Sequence, residues 1–350
     1  MRSNRYGDQR QIIFAVSDTA TQIVSPTKRF FVIVNPLVGI ATLFCMVLPD
    51  ARTIRLGTPF VFENQSSDFV GIYNADRTTF HRLPPRATLT CVLTTQASAS
   101  GTWHSVVHDP AVGNPAFGMS SVLDFVALTS GNNMFSDPGF TGVPSGAGAI
   151  NLTTGGSVGG RQGSLTVSCG TTVAGYSLVY AGSSGENNYI GSGCRAFETS
   201  QAISAISSAA DEYIARYGIG DNITGGAHTE AAYFMYDRLN LGTNWQLKTI
   251  KTAGGAANTV TDTGVAPIYG TTGAEWQKLR IEIASSGARA DGWIDNVLIS
   301  PAGGQANLPA ATTAIKIAHM GITKTEDAGV NARYLKVDYL RLQSYPTTPR

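Results

Sequence analysis

From about Glu198 to Tyr345 the chain is a succession of short runs that alternate in polarity. They include Glu230-Ala-Ala-Tyr-Phe-Met-Tyr-Asp, Trp276-Gln-Lys-Leu-Arg-Ile-Glu-Ile, Gly292-Trp-Ile-Asp-Asn-Val-Leu-Ile and Tyr334-Leu-Lys-Val-Asp-Tyr-Leu-Arg-Leu. Gly, Pro, Asn, Asp or Thr bounds each run. Period-two alternation sends one set of side chains into a core and the other toward water. Many such runs at near-regular spacing predict an all-β chain with an antiparallel sandwich or jelly roll in this part. The 39 glycines show no three-residue period and belong to turns.

At 350 residues the chain exceeds one ordinary core, which predicts two domains. Charged residues make up only 14% and hydrophobic ones 43%, the opposite of a disordered chain. The net charge is +1 with no basic block, so neither a nucleic-acid footprint nor a polybasic membrane patch is present. Cys45, Cys91, Cys169 and Cys194 lack metal-ligand spacing and read as buried thiols.

Phe30 to Leu48 is nearly continuously apolar and follows Lys28-Arg29, which would suit a membrane helix. Asn35-Pro36 and Gly39 interrupt it, and its halves are rich in Val, Ile, Phe and Thr. Two paired strands around an Asn-Pro-Leu-Val-Gly turn are therefore expected. Residues 1–26 are polar and read as an arm or an edge strand. Residues 27–108 form a small strand-rich unit, with Asn64-Gln-Ser-Ser-Asp as a turn and Leu83-Pro-Pro as a break. Residues 109–118 read as a linker, and 119–350 as the sandwich. From Ser200 to Tyr217 periodicity leaves a helix and a pair of strands around Ser208-Ala-Ala-Asp equally open.

Several chemistries were weighed. Gly155-Gly-Ser-Val-Gly matches a nucleophile-elbow pattern, but Gly160-Arg-Gln-Gly is a poor helix start behind it. His104 and His108 have a spacing that suits a metal only on a helix, and theirs is a strand context. Asp211, Glu212, Asp221, Glu230 and Asp237 are the carboxylates a glycan hydrolase could pair. Asp211 and Glu212 would face opposite ways on a strand, and Glu230 and Asp237 would sit in solvent at strand ends. Trp103 and Trp276 are expected in the core. Trp245, after Gly242-Thr-Asn, is placed on a rim where a ring could stack on a ligand. Gly- and Ser-rich loops at 119–197 and 218–229 make the candidate ligand rim Asp221, Asn222, His228 and Trp245. No catalytic, cofactor or metal set is identified.

Leu48-Pro-Asp-Ala-Arg, Phe60-Val-Phe-Glu-Asn-Gln-Ser-Ser, Leu83-Pro-Pro and Gly101-Thr-Trp follow one another in the N-terminal unit. This order resembles a small β domain of tailed-bacteriophage tail fibre and virion surface proteins. Gly148-Ala-Ile-Asn-Leu-Thr-Thr-Gly, Arg216-Tyr-Gly-Ile-Gly-Asp, Thr261-Asp-Thr-Gly-Val and Val337-Asp-Tyr-Leu resemble the concanavalin-like (laminin-G-like) sandwiches of phage structural proteins. The resemblance turns Ser200–Tyr217 toward strands. It implies a non-enzymatic, homotrimeric protein of the virion, assembled in the host cytoplasm. The N-terminal unit would attach to other virion proteins and the sandwich would face outward. Capsid decoration is the leading expectation. A short tail fibre carrying a carbohydrate-binding, receptor-recognition domain is the alternative, and a glycan hydrolase the remote one. Lectins of this shape often hold calcium, but Asp221-Asn222 and Asp291, Asp295-Asn296 have no calcium-loop spacing.

Overall fold

The computed structural model describes residues 10–14, 21–34, 45–77, 79–111, 119–124, 140–153, 164–181, 188–189, 193–208, 211–221, 225–251, 258–269, 276–299, 305, 307–309, 314–325 and 331–346. The described residues are all-β apart from two single turns of helix, and their strands form four sheets.

Two sheets build the N-terminal unit. The first has the order β1 (Arg10–Phe14), β3 (Phe30–Val34), β5 (Pro59–Asn64), β8 (Thr88–Thr95), β9 (Thr102–His108). The second runs β2 (Thr21–Ile23), β4 (Cys45–Val47), β6 (Val70–Tyr73), β7 (Thr79–Leu83). β1, β3 and β5 pair in parallel, and so do β2, β4 and β6. The chain thus alternates between the sheets in successive coils before β7, β8 and β9 close it with antiparallel pairs. This corrects the expected pairing within Phe30–Leu48. The segment does hold two strands, but they lie in opposite sheets, and its Asn35-Pro36 turn falls outside the described residues. Phe31, Val32 and Ile33 of one half and Cys45, Met46 and Val47 of the other are all buried, and a strand buried on both faces reads as continuously apolar. β1 and β2 are the edges of their sheets among the described residues, so 10–14 and 21–23 of the expected arm or edge strand are paired into the sheets.

The motifs of the N-terminal unit have local physical reasons. Asp50 caps the 3-10 turn Ala51–Thr53 by accepting from Arg52 N at 3.0 Å. Buried Asn64 accepts from Ser66 N at 3.0 Å and donates to Leu83 O at 3.0 Å, so it ties one turn to the Pro-rich break. Gly101 has φ +59, and a Cβ there would come within 2.6 Å of Ala51 Cβ. Phe31 stacks on Phe60 and Phe62, and Trp103 meets Phe60 edge-on at 5.7 Å, closing the core.

The other two sheets face each other as a sandwich. One has the order β12 (Ala149–Thr153), β13 (Ser164–Gly170), β25 (Arg333–Pro346), β16 (Gly193–Ile203), β21 (Gln277–Ile283), β22 (Ala290–Ile294), β23 (Val297–Leu298), and β10 (Met119–Asp124) also pairs with β25. The other runs β11 (Phe140–Ser145), β14 (Tyr176–Ala181), β24 (Ala314–Lys324), β17 (Tyr213–Gly220), β18 (Ala231–Asp237), β19 (Gln246–Ile250), β20 (Asn258–Asp262), with β15 (Asn188–Tyr189) on β24. Every pairing within the two sheets is antiparallel. A single apolar core lies between them, containing Phe197, Tyr217, Phe234, Trp245, Leu247, Ile281 and Leu340. The all-β expectation of a small N-terminal domain followed by a two-sheet, concanavalin-like sandwich holds. Ser200–Tyr217 resolves into the end of β16 and the start of β17, with Ser208 bridged to Asp211 at the turn.

β16 is buried along its whole length, which alternation alone does not explain. Its inward residues meet the sandwich core, while Cys194 and Ala196 pack with Phe69, Ala111 and Tyr345 under the N-terminal unit. Charges fill the rest of this seam. Arg82 of β7 pairs with Glu282 of β21 (Nε to Oε1, 3.0 Å) and stacks 4.7 Å over the Trp293 ring. Glu282 also accepts from Arg280, which donates to Glu198 at 2.9 Å, and Tyr339 donates to Glu198 at 2.8 Å. Asp68 and Ser67 bond Ser285, and Tyr345 donates to Asp109 at 2.6 Å. The start of the expected linker, Asp109 to Ala111, is therefore packed into the seam. Burial works against ionisation of Glu198, but Arg280 and Lys278 override it and hold its pKa down to about 2.

Arg82→Ala leaves Glu282 with one fewer partner in a dry seam, so it should destabilise the chain by about 3–5 kcal/mol in urea unfolding. Arg82→Met paired with Glu282→Leu should recover most of that loss, because it removes both charges together.

Candidate functional site

β17 and β24 lie side by side in the second sandwich sheet, with Gly218 opposite His319. Their outer face carries Arg216 and His319 beside Tyr233 of β18. The chain leaving β17 turns at Asp221 and returns to β18 through His228. His228 lies directly over Gly220, where a Cβ would come within 2.4 Å of its ring, so glycine makes this approach possible. The His228 and His319 rings meet edge to face at 4.4 Å, and His228 lies 4.9 Å from the Tyr233 ring. Arg216 donates to Gly225 O at 3.3 Å and Thr323 Oγ1 at 3.2 Å, holding the returning segment against the sheet.

The structure brings two of the four sequence-predicted rim residues together. Asp221 Oδ1 lies 3.4 Å from His228 Nδ1 and accepts from Thr229 N at 3.0 Å, and Thr229 Oγ1 donates to Oδ2. Asp221 is thus the clasp of the 221–230 segment. Its carboxyl is held below the usual range by the His228 and Thr229 hydrogen bonds, although partial burial pulls the other way. Asn222 lies outside the described residues. Trp245 is not on a rim. It is fully buried, donates from Nε1 to Gln277 Oε1 at 2.7 Å, and meets Tyr217 edge-on at 5.5 Å. After Gly242 the chain turns inward, and Trp245 N bonds Val265 O, which seats the indole between the sheets. Trp103 is in a core as expected, whereas Trp276 is half-buried.

Burial depresses the pKa of both histidines. For His228 the Asp221 hydrogen bond opposes the shift and the charges of Arg216 and Lys248 add to it. His319 lies well below its ordinary value through burial, helped by His228 and Arg216 and opposed by Asp221. Tyr233 is pushed up to about 12 by burial, with Arg216 pulling the other way. The chemistry open to this cluster is proton uptake.

Apart from Asp221, the candidate carboxylates fall elsewhere; Glu212 is buried, and Glu230 is half-buried rather than in solvent. Asp211 is paired with Arg333 at 2.9 Å and Lys324 at 3.6 Å, and accepts from Asn331 at 3.0 Å. Asp237 is buried rather than in solvent, because it caps helix α1 (Arg238–Leu241) by accepting from Asn240 N at 3.2 Å. Gly155–Gly159 lies outside the described residues. His104 and His108 lie on β9, and among the described residues no group of three or more His, Cys, Asp or Glu is placed to hold a metal. The four cysteines are buried and free.

Sequence reasoning did not single out Arg216, Tyr233 or His319. It also missed a cavity of about 260 Å³ between the β16–β17 connection and α1, lined by Ser207, Ser208, Glu212, Arg238 and Leu239.

No known family model and no curated protein sequence matches the chain. Among solved structures, it is similar to a protein of unknown function from Shewanella oneidensis MR-1, at 13% identity over 67% of this chain and 89% of that one, with a TM-score of 0.44. It is also similar to the potassium-bound carbohydrate recognition domain of Emp46p, at 8% identity over 65% and 97% of the two chains, TM-score 0.39. A third is the carbohydrate esterase vb_24B_21 from Shiga toxin-encoding bacteriophage phi24B, at 13%, 64% and 100%, TM-score 0.38. Similarities of this size carry no argument about chemistry, and the fold assignment rests on the sheet topology.

Acidification should loosen the 221–230 segment. Both histidines have folded pKa values below the unfolded value of about 6.5, so their contribution is complete above that pH and is lost as pH falls through it. Urea midpoints should drop between pH 7.5 and pH 5, and His319→Phe should show a shallower drop over the same interval. Equal slopes in the two proteins would exclude the pair as the source.

Proposed function

We propose that this chain is a non-enzymatic structural protein displayed on the surface of a tailed-phage particle, most simply a capsid decoration protein. One observation carries the reading. The unit expected to attach and the unit expected to face outward are locked by a buried chain of charges, Arg82–Glu282–Arg280–Glu198. Such a seam gives a fixed projection from the particle. Its acids are held as carboxylates by guanidinium groups, a state suited to structure and unsuited to donating a proton. The edges at β1 and β2 offer main-chain groups to which a virion partner or a second copy could add strands. In this reading the protein acts as a homotrimer.

The second reading is a short tail appendage that recognises a carbohydrate. The mixed polar and apolar cavity beside α1 favours it, since hydroxyl, carboxylate and guanidinium groups beside an exposed leucine suit a ligand with both hydroxyls and a C–H face.

Quantitative mass spectrometry of purified particles separates the two. Decoration predicts copies in the hundreds, and an appendage a few to some tens. Sedimentation equilibrium of the free protein should give three times the chain mass at micromolar concentration; a monomer would contradict the trimer. Particles lacking the protein should break at lower temperature if it decorates the capsid, and should keep normal heat resistance but adsorb poorly if it is an appendage.

A further inference from the structure

We propose that the cavity between the β16–β17 connection and α1 binds a single uncharged sugar unit of a bacterial surface glycan. This rests on the carbohydrate-recognition reading and moves its site away from the Asp221–His228 clasp.

The walls are built rather than incidental. Arg238 Nη1 donates to Ser207 O at 2.7 Å, tying the helix to the strand connection. Ser207 Oγ accepts from Tyr213 N at 3.3 Å, and Asp211 N donates to both the carbonyl and the hydroxyl oxygen of Ser208. The Asp237 cap fixes the first turn of the helix. Both sides of the cavity are therefore set before a ligand arrives, which lowers the ordering cost of binding.

Its size and chemistry then select the ligand. A volume of about 260 Å³ lies just under the range that holds drug-sized ligands, and suits one ring with its substituents. Ser207 and Glu212, 1% and 6% exposed, form the floor, while half-buried Ser208 and exposed Arg238 stand nearer the mouth, so a ring bearing several hydroxyls meets a hydroxyl and N–H donors there. Leu239 is 64% exposed and offers an apolar surface to the C–H face of a ring. One carboxylate and one guanidinium balance in charge. Arg238 is already committed to Ser207 O, and an acidic sugar would bring a second carboxylate beside the buried Glu212, so a neutral hexose or N-acetylhexosamine is favoured.

The test uses the full chain on an array of neutral and acidic bacterial surface glycans, followed by titration of the bound ones. The wild type should bind glycans ending or branching in a neutral hexose or N-acetylhexosamine. Arg238→Ala and Ser208→Phe should weaken binding about tenfold or more, and Leu239→Ala by roughly threefold. Val297→Ala should leave it unchanged. Arg238 and Leu239 are exposed, so their variants keep the test valid if Ser208→Phe does not fold. Undiminished binding by the Arg238 and Leu239 variants overturns the cavity as the site and leaves carbohydrate recognition standing. Binding confined to acidic glycans overturns the neutral-sugar assignment. No binding by the wild type overturns both the site and the carbohydrate reading.

Discussion

The Arg82–Glu282 contact is the point on which the architecture turns. It joins a nine-stranded N-terminal unit to one outer face of a sandwich, in a seam where both side chains are almost wholly buried. Isolated charges cannot stay in such a place; they persist because each has an opposite partner and hydrogen bonds. Arg82 meets Glu282 and the Trp293 face, Glu282 is shared with Arg280, and Arg280 continues to Glu198 and Gln343. Around this chain Phe69, Ala111, Cys194, Ala196 and Tyr345 exclude water. The outer side of β16 is consequently a domain interface, and any ligand must be met elsewhere on the sandwich.

That leaves two polar sites with different characters. The Arg216–His228–His319 cluster is closed over by the segment that Asp221 clasps, and its histidines are held neutral by burial. Its effect is on stability and its dependence on pH. The cavity beside α1 has an exposed leucine at its edge and a guanidinium that spans helix and strand connection. Arg238 and Leu239 remain within reach of a solute. The distinction is local: Gly220 leaves room for the His228 imidazole against the sheet, while Arg238 Nη1 ties α1 to Ser207 O along one wall of the cavity.

Local patterns in the sequence carried much of the fold. Alternation marked β18, β21, β22 and β25 as strands, and Asn64-Gln-Ser-Ser and Leu83-Pro-Pro marked a turn and a break whose hydrogen bonds the structure shows. Pairing was less legible. Phe30–Val34 and Cys45–Val47 look like a hairpin because an apolar run with a central Pro has no mark of which neighbour each half will join. Parallel partners twenty or more residues away decide it. The candidate site was legible only in part. Asp221 and His228 are close in sequence, so a loop brings them together. His319 and Arg216 meet them only through the register of β17 against β24, a long-range contact with no local sign. Trp245 was misplaced for a related reason: its burial depends on Gln277 and Tyr217, both distant in the chain.

The central claim is that the two β units form one cooperative body through a buried charged seam. Differential scanning calorimetry of the full chain tests it most directly. The account predicts one transition whose calorimetric and van't Hoff enthalpies agree. Two resolved transitions, with the lower one belonging to residues 10–108, would contradict it.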